Sequence, residues 1–191
     1  MLPLTLDVTR VPLALAGVGP AALSRLVSLD AAGATRVTVY AEAPDADLAA
    51  AAGDRLVRRL PAPADLAEAR ALMVAGLDDE TACGLAATAR AMGVLVNVED
   101  RKAWCDFHFA SVIRRGDLVL AISTNGKSPG LARRLRRFLE GLIGPEWGGR
   151  VEEVAARRQL WRAAGADMAT VGRLSDAHIE RRGWLSRASG R

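Results

Sequence analysis

The sequence predicts an α/β protein, with a parallel sheet and crossover helices in its first half and helices alone at its C-terminal end. Three observations carry this expectation. Short apolar runs of β character alternate with Ala-rich helical stretches up to about residue 100, a glycine-rich turn joins the first run to the first helix, and beyond Ser123 the pattern is helical. Half of the 191 residues are hydrophobic and only two are cysteines, which excludes a disordered tail and a disulfide-stapled miniprotein. The length suits one large domain, or a medium one with an appendage.

Taken in order, strands are expected at 11–16, 36–40, 55–60, 72–75 and 94–98, with helices at 21–32, 45–52, 64–69 and 80–92. Each crossover between them should be right-handed. Two further strands, 107–113 and 118–123, flank the turn Arg114-Arg115-Gly116-Asp117. Ser128 followed by Pro129 is a cap and first-turn signal for a helix that runs to about Ile143 and ends at Gly144-Pro145. Helices at 150–164, 167–174 and 176–184 should form a small bundle, and residues 186–191 are expected to fray.

The most apolar stretch, 11–23, is broken by Gly17, Gly19 and Pro20, so no membrane span is expected, and no secretory signal is visible at the start. The expected location is the cytoplasm. Cys83 and Cys105 stand 22 positions apart with no histidine at zinc-like spacing, and read as reduced, partly buried thiols.

The net charge of +4 conceals an asymmetry: residues 1–113 hold 10 basic and 14 acidic side chains, residues 114–191 hold 16 and 8. Arginine supplies 24 of the 26 positive charges, and its planar fork suits carboxylates and phosphates. The second half should therefore meet an acidic partner. Nucleic acid is not expected, since aromatic residues are only 4% of the chain and no helix-turn-helix or RNP-like motif is present.

Three segments could carry chemistry. The first is Gly17-Val18-Gly19-Pro20-Ala21-Ala22, a G-x-G-x-x-A between a strand and a helix. Gly17 permits a tight turn, Gly19 lets the backbone approach a pyrophosphate, Ala22 permits close helix packing, and the helix N-terminus attracts the anion. Tyr40 stands where a ribose-binding carboxylate is usual, so Glu42 is the candidate for that contact. A tight turn of purely structural use is the alternative. The second segment joins Gly76-Leu77-Asp78-Asp79-Glu80 to Asn97-Val98-Glu99-Asp100, both at strand ends where open parallel sheets bind ligands. Asp78 and Asp79 also suit helix capping. Asp100 is the candidate proton carrier, or a partner of Arg101 or Lys102. The third is Ser123-Thr124-Asn125-Gly126-Lys127-Ser128, followed by Arg133, Arg134, Arg136 and Arg137: donors in a glycine turn that suit an acidic ligand, or a solvated helix face.

These residues resemble the precorrin-2 dehydrogenase/sirohydrochlorin ferrochelatase family of sirohaem synthesis. The likeness runs from Leu2-Pro3-Leu4 through the glycine turn, Asp78-Asp79, Val96-Asn97-Val98-Glu99-Asp100 and Asp106-Phe107-His108-Phe109. It continues through Val112-Ile113-Arg114-Arg115-Gly116-Asp117-Leu118 to Ala121-Ile122-Ser123-Thr124-Asn125-Gly126-Lys127-Ser128-Pro129. The resemblance implies an NAD-binding Rossmann-like domain over 1–105, a dimerisation region over 106–147 in which protomers exchange elements, and a C-terminal helical domain over 148–191. It implies NAD-dependent oxidation of precorrin-2 to sirohydrochlorin, then insertion of ferrous iron, as substrate, to give sirohaem.

By the same analogy Asp100 is the catalytic carboxylate. It places NAD contacts on Pro20, Ala21, Glu42 and Ala43 and the family's serine-rich turn on Ser123, Thr124 and Ser128; the residues themselves add Gly17, Val18, Gly19, Gly76, Asp78 and Asn97 for NAD, and Lys127 and Arg133 for the tetrapyrrole. No resident metal site is expected: the sequence has no His/Cys cage, His108 is read as a packed strand residue and His178 as a helix-surface residue. The chain departs from the family pattern at Val18, where a second glycine is usual, at Ser24-Arg25, where an Arg-Lys pair is usual, and at Leu77. A non-catalytic tetrapyrrole-binding protein of the same fold is the alternative that these departures raise.

Overall fold

The computed structural model describes residues 2–185. Five parallel strands, β1 (Leu13–Gly17), β2 (Val37–Tyr40), β3 (Leu56–Val57), β4 (Ala71–Ala75) and β5 (Leu95–Val98), lie in the order β3-β2-β1-β4-β5. The chain winds outward from β1 to β3, then returns beside β1 and winds the other way. Helices α1 (Gly19–Asp30), α2 (Ala46–Ala52), α3 (Pro63–Leu66) and α4 (Asp79–Ala91) connect the strands.

Every residue of β1 and β4 is buried, as a strand covered on both faces requires. The alternation within β1 sets the two faces. Leu13 and Leu15 pack with Leu26, Leu29 and Met73 on one side. Ala14 and Ala16 face the other, where α4 presents Ala82, Ala86 and Ala89. Each fully buried leucine contributes about 1.5–3 kcal/mol. Asp45 and Asp78 cap α2 and α4 by accepting from Leu48 N (2.7 Å) and Thr81 N (2.9 Å).

Strand β3 is shorter than the expected 55–60. Arg55 closes a 3₁₀ turn instead and pairs with Asp30 at 2.5 Å, while Arg59 is drawn to Asp65 at 2.5 Å. Arg59 and the Ala62 N–H hold the Asp65 carboxyl down at about 2. Helix α3 likewise ends at Leu66 rather than 69.

The chain divides into two compact units, Met1–Phe109 and Ala110–Arg191. In the second, β6 (Ser111–Arg115) and β7 (Leu118–Ile122) form an antiparallel hairpin, with Gly116 at φ +57° in its two-residue turn. The strand expected from 107 starts only at Ser111. Residues 105–107 are tied to β5 by the side chains described below, so His108 lies half-buried outside any strand.

Helix α5 (Pro129–Leu142) begins under the expected Ser128 cap, which accepts from Leu131 N at 3.2 Å. Leu131, Leu135, Phe138 and Leu142, exposed at 40–64%, line one side of it. Helix α6 spans Trp147–Ala163, starting earlier than expected. Where two helices are expected, at 167–174 and 176–184, a single α7 (Met168–Arg182) runs through. Ser175 does not break it because its hydroxyl donates to Val171 O at 2.7 Å within the helix.

His178 corrects the surface expectation. It is 6% exposed, its Nε2 lies 2.9 Å from Glu153 Oε1, and its ring meets Trp161 and Trp184 edge-on. Glu153 also accepts from Arg182 at 3.1 Å, so one carboxylate of α6 holds two side chains of α7. His178→Ala should therefore lower the unfolding free energy by about 2–3 kcal/mol, through a cavity and a lost buried hydrogen bond. Urea titration followed by circular dichroism measures this, and a loss below about 0.5 kcal/mol, the range of ordinary surface substitutions, would contradict the pin.

Candidate functional site

The order of strands reverses between β1 and β4, where doubly wound sheets open a crevice at the carboxyl ends. Here the two turns interlock. A Cβ on Gly17 would stand 2.0 Å from Ala75 O and 3.1 Å from the Ala22 methyl. One on Gly76, at φ +72°, would stand 2.2 Å from Val18 O. Val18 N donates to Ala75 O at 3.2 Å across the same gap. Gly19 differs: at φ +68° it starts α1, and a Cβ there would meet nothing within 4 Å.

The N-terminus of α1 has no side-chain cap and no acidic residue in its first turn. Val18 offers no acceptor and Pro20 no N–H, which leaves the Gly19 and Ala21 amides without a side-chain partner. This bare, open turn fits a dinucleotide pyrophosphate, which would be held by those amides and the helix dipole.

At the end of β2, Tyr40 is buried in the core, and burial followed by the Asp65 charge pushes its phenol up. It belongs to the sheet's packing. Glu42 and Ala43 are exposed in the bend beyond it, where a ribose hydroxyl would lie.

Between the ends of β4 and β5 lies a cleft of about 180 Å³ with Val74, Ala82 and Val98 at its base and Gly76, Asp79 and Asp100 on its rim. Asp100 is exposed in the turn after β5, at φ +56°, a left-handed conformation that aspartate tolerates better than most residues. Of the two partners that the sequence offers it, Arg101 donates to the main-chain oxygen of Asp100 at 3.3 Å and makes its side-chain ion pair with Asp79. Its guanidinium donates to Asp79 Oδ1 at 2.5 and 2.9 Å, and this hydrogen bond raises its pKa. Asp78 caps α4, both of its oxygens accepting from Thr81, which lowers its carboxyl's pKa.

The turn is held from the outer edge of the sheet mainly by Cys105 and Asp106, which the sequence did not mark as site residues. Asp106 accepts from Val96 N with Oδ2 (2.9 Å) and donates its own N–H to Val96 O (2.7 Å), covering an edge strand's free groups. Cys105 Sγ accepts from Val98 N at 3.3 Å and donates to Val98 O at 3.1 Å. The buried Asn97 amide donates to Phe107 O at 2.9 Å. Arg25 of α1 lies 3.8 Å over the Phe109 ring. Burial lowers its pKa, opposed by the charge of Glu99. The signal available for this network is the clustering of Cys105, Asp106 and Phe107 immediately after the β5 turn.

In the second unit, Ser123, Thr124 and Ser128 shape one turn. Their hydroxyl oxygens accept from Asn125 N, Ser128 N and Leu131 N at 3.1–3.2 Å, and Asn125 and Gly126 take positive φ. Each hydroxyl proton remains to be donated. Lys127, Arg133 and Arg137 are exposed, whereas Arg136 is paired with Glu140.

The glycines should separate by stability. Gly17→Ala should cost about 3 kcal/mol or more, by overpacking against main chain, and Gly19→Ala only about 1–2 kcal/mol, the cost of its left-handed φ. Equal losses in chemical denaturation would show that the turns do not interlock as described.

Residues 4–111, more than half of the chain, match the family described as putative NAD(P)-binding, and residues 115–142 match that described as sirohaem biosynthesis protein, central. A siroheme synthase of Methylococcus capsulatus is 32% identical over 92% of this chain and 41% of its own length, and siroheme synthase 2 of Aeromonas salmonicida is 34% identical over 92% and 38%. A siroheme synthase of Nitrosococcus oceani reaches 49% identity, over 36% of this chain and 14% of its own. The chain thus spans about two fifths of the length of the first two relatives. Among solved structures, one titled SirC, precorrin-2 dehydrogenase, superposes with a TM-score of 0.78 over 98% of this chain and 93% of that one, at 22% identity, and shows the same fold. The chain belongs to the putative NAD(P)-binding family, and with the sirohaem central segment joined to that domain it is a member of the precorrin-2 dehydrogenase/sirohydrochlorin ferrochelatase family that its motifs resemble.

Proposed function

We propose that the chain oxidises precorrin-2 to sirohydrochlorin with NAD. The observation that carries this reading is the bare glycine turn at the sheet's switch point beside a cleft rimmed by Asp100. Bound NAD would supply the two-electron acceptor. The Gly19 and Ala21 amides would hold the pyrophosphate, Glu42 and Ala43 would border the ribose, and Gly17, Val18, Pro20 and Gly76 would form the surface beneath the dinucleotide. Asp78 and Asn97 keep the ends of α4 and β5 in place.

This two-electron oxidation would leave one proton to be removed from the tetrapyrrole. Asp100 takes that proton, and its exposure lets it pass to solvent. The substrate's acetate and propionate groups suit Ser123, Thr124, Lys127, Ser128 and Arg133, in a half of the chain with 16 basic side chains against 8 acidic. Ferrous iron is the proposed second substrate: its insertion displaces two protons from pyrrole nitrogens, with Asp100 again the acceptor.

The exposed Leu131, Leu135, Phe138 and Leu142 support a homodimer through the 106–147 region, because a monomer would leave an apolar stripe in water. Sedimentation as a 20.2 kDa monomer at micromolar concentration would contradict it.

Pro20 brings no N–H to the turn and the Val18 N–H is used on Ala75 O, which favours the rival reading of a tetrapyrrole binder without turnover. One variant separates the readings. Asp100→Asn keeps size and accepts a left-handed φ, so NAD and tetrapyrrole affinity should persist while NADH formation falls by about 10²–10⁴, the usual contribution of general acid–base catalysis. A rate within threefold of the parent's removes Asp100 from the reaction, and no turnover in either protein favours the rival.

A further inference from the structure

The second unit has a groove that the reading above does not use. It runs between α6 and α7 and encloses about 470 Å³, within the usual range of small-molecule sites. Val151, Val154 and Ile179 form its apolar wall, and the indoles of Trp147 and Trp184 lie on its lining. Arg150 stands 4.7 and 5.5 Å from the centroids of those two rings.

Arg150, Arg158 and Arg162 recur at helical spacing along α6 and all three line the groove. Arg150 has Glu146 at 3.6 Å. Among the described residues, Arg158 and Arg162 have no acidic group within 4 Å. Two adjacent cations on an apolar wall are mutually repelled and uncompensated. An aromatic surface beside them favours a flat body, and their forks favour a carboxylate.

We propose that this groove binds a small planar aromatic carboxylate, with its ring system against the apolar wall and indoles and its acid group on Arg158 and Arg162. A neutral ring of the same size leaves both arginines uncompensated, and a small aliphatic acid leaves the apolar wall wet, so neither satisfies the site alone. The groove lies wholly within the second unit, and the proposal is independent of NAD binding and of Asp100.

The test is calorimetric titration of the full chain with 2-naphthoate as probe, repeated with 2-naphthalenemethanol, its neutral counterpart, and on the variant R158E/R162E. Both arginines are at the helix surface, and an unchanged circular dichroism melt identifies the variant as folded. Saturable binding of 2-naphthoate is expected, weakened at least tenfold in the variant and at least tenfold weaker for the alcohol. Absence of saturable binding, equal affinity of acid and alcohol, or an unchanged dissociation constant in a folded variant each overturns the proposal. Should R158E/R162E fail to fold, R158Q and R162Q are titrated singly: both are expected to weaken binding, and the proposal is overturned if neither does. Failure of the dehydrogenase reading would appear as absent NADH formation and would leave these titrations as they are.

Discussion

The closeness of β1 and β4 at their carboxyl ends is the constraint from which the rest of the first unit follows. Ala75 O occupies the space where a side chain on Gly17 would be, and Val18 O occupies that of Gly76. With both positions empty, Val18 N reaches Ala75 O and α1 turns back immediately over β1, its Ala22 methyl packed without exposure. The same compression brings the first free amides of α1 to the crevice. Packing and the capacity to hold an anion thus share one cause, although different glycines serve them: Gly17 and Gly76 the packing, Gly19 the open approach.

A second constraint acts on β5, which is an edge strand. An edge strand's free N–H and C=O groups must be paired or solvated. Asp106 and Cys105 take those of Val96 and Val98, and in doing so fix both ends of the short turn that carries Asp100. The Arg101–Asp79 pair ties that turn to the start of α4. It is an exposed pair, screened by solvent, so its value lies in orientation rather than stability. Asp100, left-handed and held between these contacts, lines the cleft.

Much of this was legible in the sequence, for physical reasons that differ by element. Strands β1, β2, β4 and β5 follow from continuous apolar runs, since a strand buried on both faces shows little alternation. Helix starts followed from Asp45, Asp78 and Ser128, whose side chains act locally. Length failed where tertiary contacts decide. Arg55 and Arg59 left the β3 run for Asp30 and Asp65, and Ser175 joined a helix by bonding to its own previous turn. His178 was misread because neither Glu153, 25 positions away, nor the rings of Trp161 and Trp184 leave a periodic trace. Among the site residues, Gly17, Gly19 and Gly76 declared themselves by type, whereas the edge-covering roles of Cys105 and Asp106 depend on pairing that only coordinates reveal.

The central claim is that the bare turn and the carboxylate at the β5 end together serve one oxidation. Absorbance at 340 nm on mixing the purified chain with NAD and precorrin-2 tests it most directly. The account predicts NADH formed in equal amount to sirohydrochlorin, with no product when either reactant is omitted. Sirohydrochlorin formed without NADH, or no absorbance change while both NAD and precorrin-2 bind, would contradict it.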